Sequence, residues 1–131
     1  MANLTTFAAD KVLDHLLGRT AYTMPTVWVG LFTTDPTEPA GTGGVEVSGG
    51  AYVRVQLSPN TAAAASGSAV SNADVTWPQA TVAWGTILGL GLFDAASAGN
   101  LLASGPLSVS KTVGVGDTFS IPSGDLAVAL S

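Results

Sequence analysis

Hydrophobic and polar residues along this chain alternate first with the period of a helix and then, after Pro25, with the period of a strand. Across residues 5–17, Ala8, Ala9, Val12, Leu13, Leu16 and Leu17 share one side, and Asp10, Lys11, Asp14 and His15 share the other. That is the 3.6-residue stripe of an amphipathic helix, whose apolar side must cover a sheet or a neighbouring subunit. Asn3 or Thr5 stands where a cap would start it, and Gly18 where a left-handed residue would end it.

Period two takes over in TVWVGLFT (26–33) and in AYVRVQL (51–57), where Ala51, Val53, Val55 and Leu57 are expected to face inward and Tyr52, Arg54 and Gln56 outward. The most informative stretch is WPQATVAWGTILGLGLFDAASAGNLL (77–102). Between residues 82 and 93, Val82, Trp84, Thr86, Leu88, Leu90 and Leu92 fall on one parity and predict a core face. Ala83, Gly85, Gly89 and Gly91 thin the opposite face, which is bare except for Ile87 and Phe93. Glycine inside a strand marks a bulge or a close approach, so this face predicts contact with a neighbouring subunit or tight sheet packing. Further strands are expected at 101–109, 113–121 and 125–130, with a turn at Ser123-Gly124-Asp125. Two long loops, 34–44 and 58–68, interrupt the pattern, and GLFTTD (30–35) is echoed by GLFDAA (91–96). The whole is mainly β: one domain over residues 1–131, an antiparallel β-sandwich of jelly-roll or Greek-key type with one short N-terminal amphipathic helix.

Composition narrows the class of function. Of 131 residues 47% are apolar and only 10% charged, against roughly a quarter charged in ordinary soluble domains. So little charge implies that part of the surface is covered in an assembly, or that Thr, Ser and Asn keep it soluble. The net charge is −5 and the four cations, Lys11, Arg19, Arg54 and Lys111, are scattered, which argues against a nucleic-acid partner. The absence of cysteine removes disulfides, thiolate metal sites and cysteine nucleophiles. Neither a secretory signal nor a membrane-spanning run is expected.

Candidate chemistry is sparse. His15, the single histidine, lies beside Asp14 on the helix's polar side without an activated-serine turn such as G-x-S-x-G. Asp35 and Glu38 sit in DPTEP, and Asp117 and Asp125 each follow glycine, all of them turn positions. No ligand-loop spacing for a metal and no phosphate-cradling glycine loop is present, so no enzyme, metal or cofactor is expected. The tryptophans remain: Trp84 shares parity with the core leucines, Trp28 can face either way, and Trp77, before Pro78, is expected at a rim. Trp77, Gly85, Gly89, Gly91 and Trp28 are therefore the candidate residues for a subunit or lattice interface.

The opening TFAADKVLDHLLG with PTVWVGLFTTDPT, the central WPQATVAWGTILGLGLFDAASAGNLL and the closing GDTFSIPSGDLAVAL together resemble a family of small tailed-bacteriophage virion proteins, often labelled tail fibre proteins. That group is similar to capsid decoration or cement proteins, β-rich oligomers on the outside of the head. The resemblance implies a structural protein of the virion, made in the host bacterial cytoplasm. It would bind the major capsid protein lattice as a trimer and stabilise the head. The alternative it implies is a tail-fibre module that binds a host glycan or another tail protein. No catalytic residues come with the resemblance.

Overall fold

The computed structural model describes residues 2–34, 44–58 and 60–129. Among the described residues there is one helix, α1 (Thr6–Leu16), which follows a short strand, β1 (Ala2–Leu4). Nine strands follow: β2 (Trp28–Thr34), β3 (Val45–Glu46), β4 (Val55–Gln56), β5 (Ser68–Val70), β6 (Val75–Thr76), β7 (Gly85–Phe93), β8 (Leu101–Val113), β9 (Ser120–Ile121) and β10 (Ala127–Ala129). The large sheet runs β3-β2-β7-β8-β1-β10-β5, with β4 also on β2, and a small second sheet pairs β6 with β9. Every pairing is antiparallel except that of the first and last strands, β1 and β10, which run parallel with Ala2 opposite Val128 and Asn3 opposite Ala129. The mainly β, sandwich-like reading therefore holds, with this one parallel contact as an addition.

The core lies between the two sheets. Val29, Leu31, Leu90, Leu92 and Ala103 contribute from the large sheet, Val75 and Ile121 from the small one, and Trp77, Phe119 and Leu126 from beside it. Trp77 meets Phe119 edge-on at 5.4 Å. It is 1% exposed, so the expected rim position is corrected: Trp77 N–H pairs with Phe119 O, which draws the ring inside.

The parity assigned to residues 82–93 breaks twice. Gly85 has φ +86, which rotates the chain between Trp84 and Ile87. Leu88 then sits opposite a bulge, since Ile87 pairs with Lys111 while Gly89 pairs with Pro106. Four residues of β8, 107–110, thus lie opposite the single residue Leu88, three more than an even ladder would place there. The set in the main core is consequently Trp84, Ile87, Leu90 and Leu92; Ile87 is fully buried, while Val82, Thr86 and Leu88 are exposed. The alternation expected for 51–57 also reverses at its start. Gly49, Gly50 and Ala51 all take positive φ, after which Val53 points to solvent and Tyr52 and Arg54 turn partly inward. Only Val55 and Gln56 pair as a strand. Of residues 113–121, Ser120 and Ile121 alone pair in a ladder of their own, because a turn through Gly114 and Asp117 intervenes.

Helix α1 starts where Thr5 was expected to cap it. The Thr5 hydroxyl accepts from Ala8 N–H at 3.3 Å and donates to Leu101 O at 2.7 Å, and its backbone N–H donates to Leu102 O at 2.9 Å. Gly18, φ +79, follows the last turn as anticipated. The apolar stripe does not cover the sheet along its length. Ala8 alone is buried, Ala9 and Val12 are half-buried, and Leu13, Leu16 and Leu17 are exposed. The loop 34–44 lies, apart from Thr34 and Gly44, outside the described residues, as does the Asp35/Glu38 pair.

Candidate interaction surface

The echo of GLF in β2 and β7 has a geometric meaning. The two strands pair so that Gly30 faces Gly91, Trp28 faces Phe93 and Phe32 faces Gly89, leaving a floor of backbone on the face away from the core. That floor is filled by the chain itself. A Cβ on Gly91 would lie 2.6 Å from Phe32 Cε1 and 2.8 Å from Leu101 Cδ1, and one on Gly30 would lie 2.7 Å from Glu46 Oε2. Phe32 and Phe93 stack over it with centroids 5.9 Å apart and planes at 13°.

A polar cluster closes this second, smaller core. The Arg54 guanidinium lies over Phe93, 3.5 Å from the ring centroid, in the arrangement that favours a cation on an aromatic face. It grips Glu46 with two hydrogen bonds, Nε to Oε2 at 2.9 Å and Nη2 to Oε1 at 2.8 Å, while Nη1 donates to Ala95 O and Ala98 O at 3.0 and 2.8 Å. Tyr52 O–H donates to Glu46 Oε2 at 2.6 Å and accepts from Leu31 N–H at 2.9 Å. Burial, and then that bond to Glu46, push the Tyr52 phenol far above its usual pKa. In the turn that Arg54 holds, Asp94 accepts from Asn100 N–H at 2.7 Å and from Nδ2 at 3.0 Å. Burial pushes the Asp94 carboxyl up, but the bonds from Asn100, its own N–H and nearby Arg54 outweigh it and hold the pKa below the usual carboxylate value.

Chemically this cluster is closed. Four of the five N–H donors of a guanidinium are occupied within the domain, and Glu46 neutralises its charge, so it pins the turn at residues 94–100 rather than offering a ligand site. The sequence hint for it was a lone arginine between two valines in a chain with four cations, a signal that strand parity misdirected to solvent. His15, the other candidate for chemistry, accepts from Tyr22 N–H through Nδ1 at 3.1 Å and holds the segment after the helix. Two open clefts lie on the surface. One, of about 340 Å³, borders Glu46, Tyr52 and Arg54; the other, of about 240 Å³, runs between β8 and the last turn past Leu107, Lys111, Ile121 and Asp125. Among the described residues no group of three or more His, Asp or Glu could hold a metal.

The residues singled out from sequence part company in space. Trp77 lies in the main core, Gly91 is buried in the floor under Phe32 and Phe93, and Gly89, paired with Phe32 in the ladder, is buried too. Gly85 is exposed and Trp28 half-buried, both at the surface. Of the two readings of this thinned face, contact with a neighbour or tight packing within the sheet, Gly91 fits the second, since Phe32, Phe93 and Leu101 fill the space above it. What remains uncovered is apolar and lies elsewhere: Leu16 and Leu17 at the end of α1 are 73% and 77% exposed, and Met24 is 89% exposed.

The chain matches, over residues 3–129, a family model described as Podophage GP4 fiber I protein gp80. The chain belongs to that family. It is a structural protein of the bacteriophage virion, as its resemblance to small virion proteins labelled tail fibre implied. No individual curated protein matches the chain. Among the described residues of this gp80-family protein, no helix is long and apolar enough to cross a membrane.

Proposed function

We propose that the protein is a non-catalytic building block of the fibre apparatus, acting as a small oligomer that docks onto other virion proteins. The family's own description, a fibre protein matched over residues 3–129, carries this reading. Its physical support is a surface with few charges and eleven large apolar side chains exposed among the described residues, a composition suited to protein contacts. An oligomer that attaches at several points holds through modest single contacts, because each later contact is intramolecular. Glycan binding through stacked tryptophans is less well supported, since Trp77 and Trp84 are 1% and 5% exposed and only Trp28 is left near the surface.

A second reading places the same oligomer on the outside of the head as a cement protein, stabilising the shell because it binds the assembled lattice and not free subunits. The weakly charged surface favours it equally. Separating disrupted virions into heads and tails, and measuring the ratio of this protein to the major capsid protein in each, distinguishes the two. Tail association in few copies is expected. Recovery with heads in amounts approaching the capsid protein would replace the fibre reading with the cement reading, and absence from both fractions would remove both.

A further inference from the structure

Strand β1 fills only part of its place in the large sheet. Leu4 and Asn3 lie opposite Ala103 and Ser104 of β8, and Ala2 lies opposite Val128 of β10. β8 runs on to Val113, yet among the described residues no strand lies against that side of it past Ser104. Counting both ladders one step past Ala2 reaches Pro106 in β8 and Ala127 at the start of β10, and both line the cleft of about 240 Å³. The cleft is therefore the continuation of the place that β1 occupies. From this alignment we propose that it receives an extended segment of another virion protein, which adds to the free edge of β8 in line with β1. The proposal rests on the reading of the chain as a subunit that docks onto other virion proteins, and gives that docking a site.

The edge selects a strand as the occupant. Backbone N–H and C=O groups along an unpaired strand bond an added one, and alternate side chains of the newcomer enter whatever lies beneath. Leu4 packs against the core, so every second residue of a segment in its line would face Phe119 and Ile121, which close the inner side of the cleft. Those residues should be apolar. Val109, which lines the cleft from the bulge and is 70% exposed, would be covered. Lys111 and Asp125 also line it and make no ion pair among the described residues, so the segment meets one charge of each sign. A second copy is the poorer occupant, because its described strands are already paired in their own sheets. Pro106 and the bulge at 107–110 interrupt the edge; such devices prevent indiscriminate pairing and leave selection to the side chains in the cleft.

A short run of alternating valine and threonine, placed ahead of Ala2 behind a new initiating methionine, tests the slot in the isolated chain. With the valines in step with Leu4 the melting temperature should rise. Shifted by one residue, the same run should not raise it, because a slip of one exchanges the two faces. Equal effects of the two runs, or none, overturn the proposal. In phage carrying these variants the in-step run occupies the slot and the protein should be lost from virions, while the shifted run is incorporated normally; normal incorporation of both also overturns it. Val109→Glu, at an exposed position, should keep the melting temperature and lose incorporation. The chain has no cysteine, so Ser110→Cys bearing a benzophenone maleimide reports on its neighbour in intact virions. An adduct with a different virion protein is expected, and an adduct with a second copy, or none, overturns the proposal. If an extension prevents folding, Val109→Glu and the cross-link decide. A wild type missing from virions would sink the docking reading itself, whereas the register dependence of stability would still judge the slot.

Discussion

Removing Arg54 leaves Glu46 half-buried beside Tyr52 with no cation, and frees the carbonyls of Ala95 and Ala98. Breaking such a partly buried pair from one side costs about 3 kcal/mol, so Arg54→Met should lower the urea midpoint markedly. Adding Glu46→Gln to that variant should cost less than Glu46→Gln alone, a coupling that a double-mutant cycle reads directly. Arg54→Lys should recover little, because one ammonium cannot make the forked contact with Glu46 and reach two carbonyls together. At Gly91 the effect is steric. Gly91→Ala drives a methyl into Phe32 and Leu101, and overpacking of this kind costs about 1–3 kcal/mol, which denaturant unfolding of the isolated chain would register.

Thr5 joins helix to sheet, serving as the cap of α1 and as a donor to β8 with 1% exposure. Thr5→Ala should cost about 1–2 kcal/mol and speed amide exchange in α1 more than in β7; Thr5→Ser should restore most of the protection. Elements were legible from sequence where a local rule operated alone. The helix bounds followed from Thr5 and Gly18, and β2 from its unbroken alternation. In β7 the strand and the core places of Trp84, Leu90 and Leu92 were read correctly, but Ile87 and Leu88 were exchanged, because period two assumes an even ladder and the bulge of β8 opposite Leu88 violates it. Gly105-Pro106 was the available warning, since proline within a strand belongs at edges and bulges. At 51–57 the tie from Arg54 to Glu46, Ala95 and Ala98 overrode the preference of Val53 for the interior, a choice set by residues up to 44 positions away.

At the scale of the molecule, a few charges tie distant segments of the fold together. Asp94 bonds Asn100 in the turn that Arg54 grips, and its lowered pKa links that turn to pH. A carboxyl whose folded pKa is depressed stabilises the fold fully above its unfolded value, about 4. That contribution disappears as pH falls through the folded pKa. Thermal unfolding should therefore show stability falling on acidification below about pH 4, and Asp94→Asn should shrink that fall while lowering stability at neutral pH. The candidate site was the least legible part of the chain. Gly91 carried the right signal of close packing while Trp77 was misassigned to a rim, and sequence alone does not say whether the packed partner is Phe32, Phe119 or another chain.

The parallel contact between β1 and β10 has a mechanical consequence. Tension that reaches the domain through the backbone before Ala2 and after Ala129 pulls these strands in opposite directions along their length, because they run side by side in the same sense. Their hydrogen bonds are then loaded together in shear, whereas a hairpin pulled from its ends opens one bond at a time. A fold loaded in this way should give way abruptly, and a single-molecule pulling trace should show one tall rupture in place of a gradual peel.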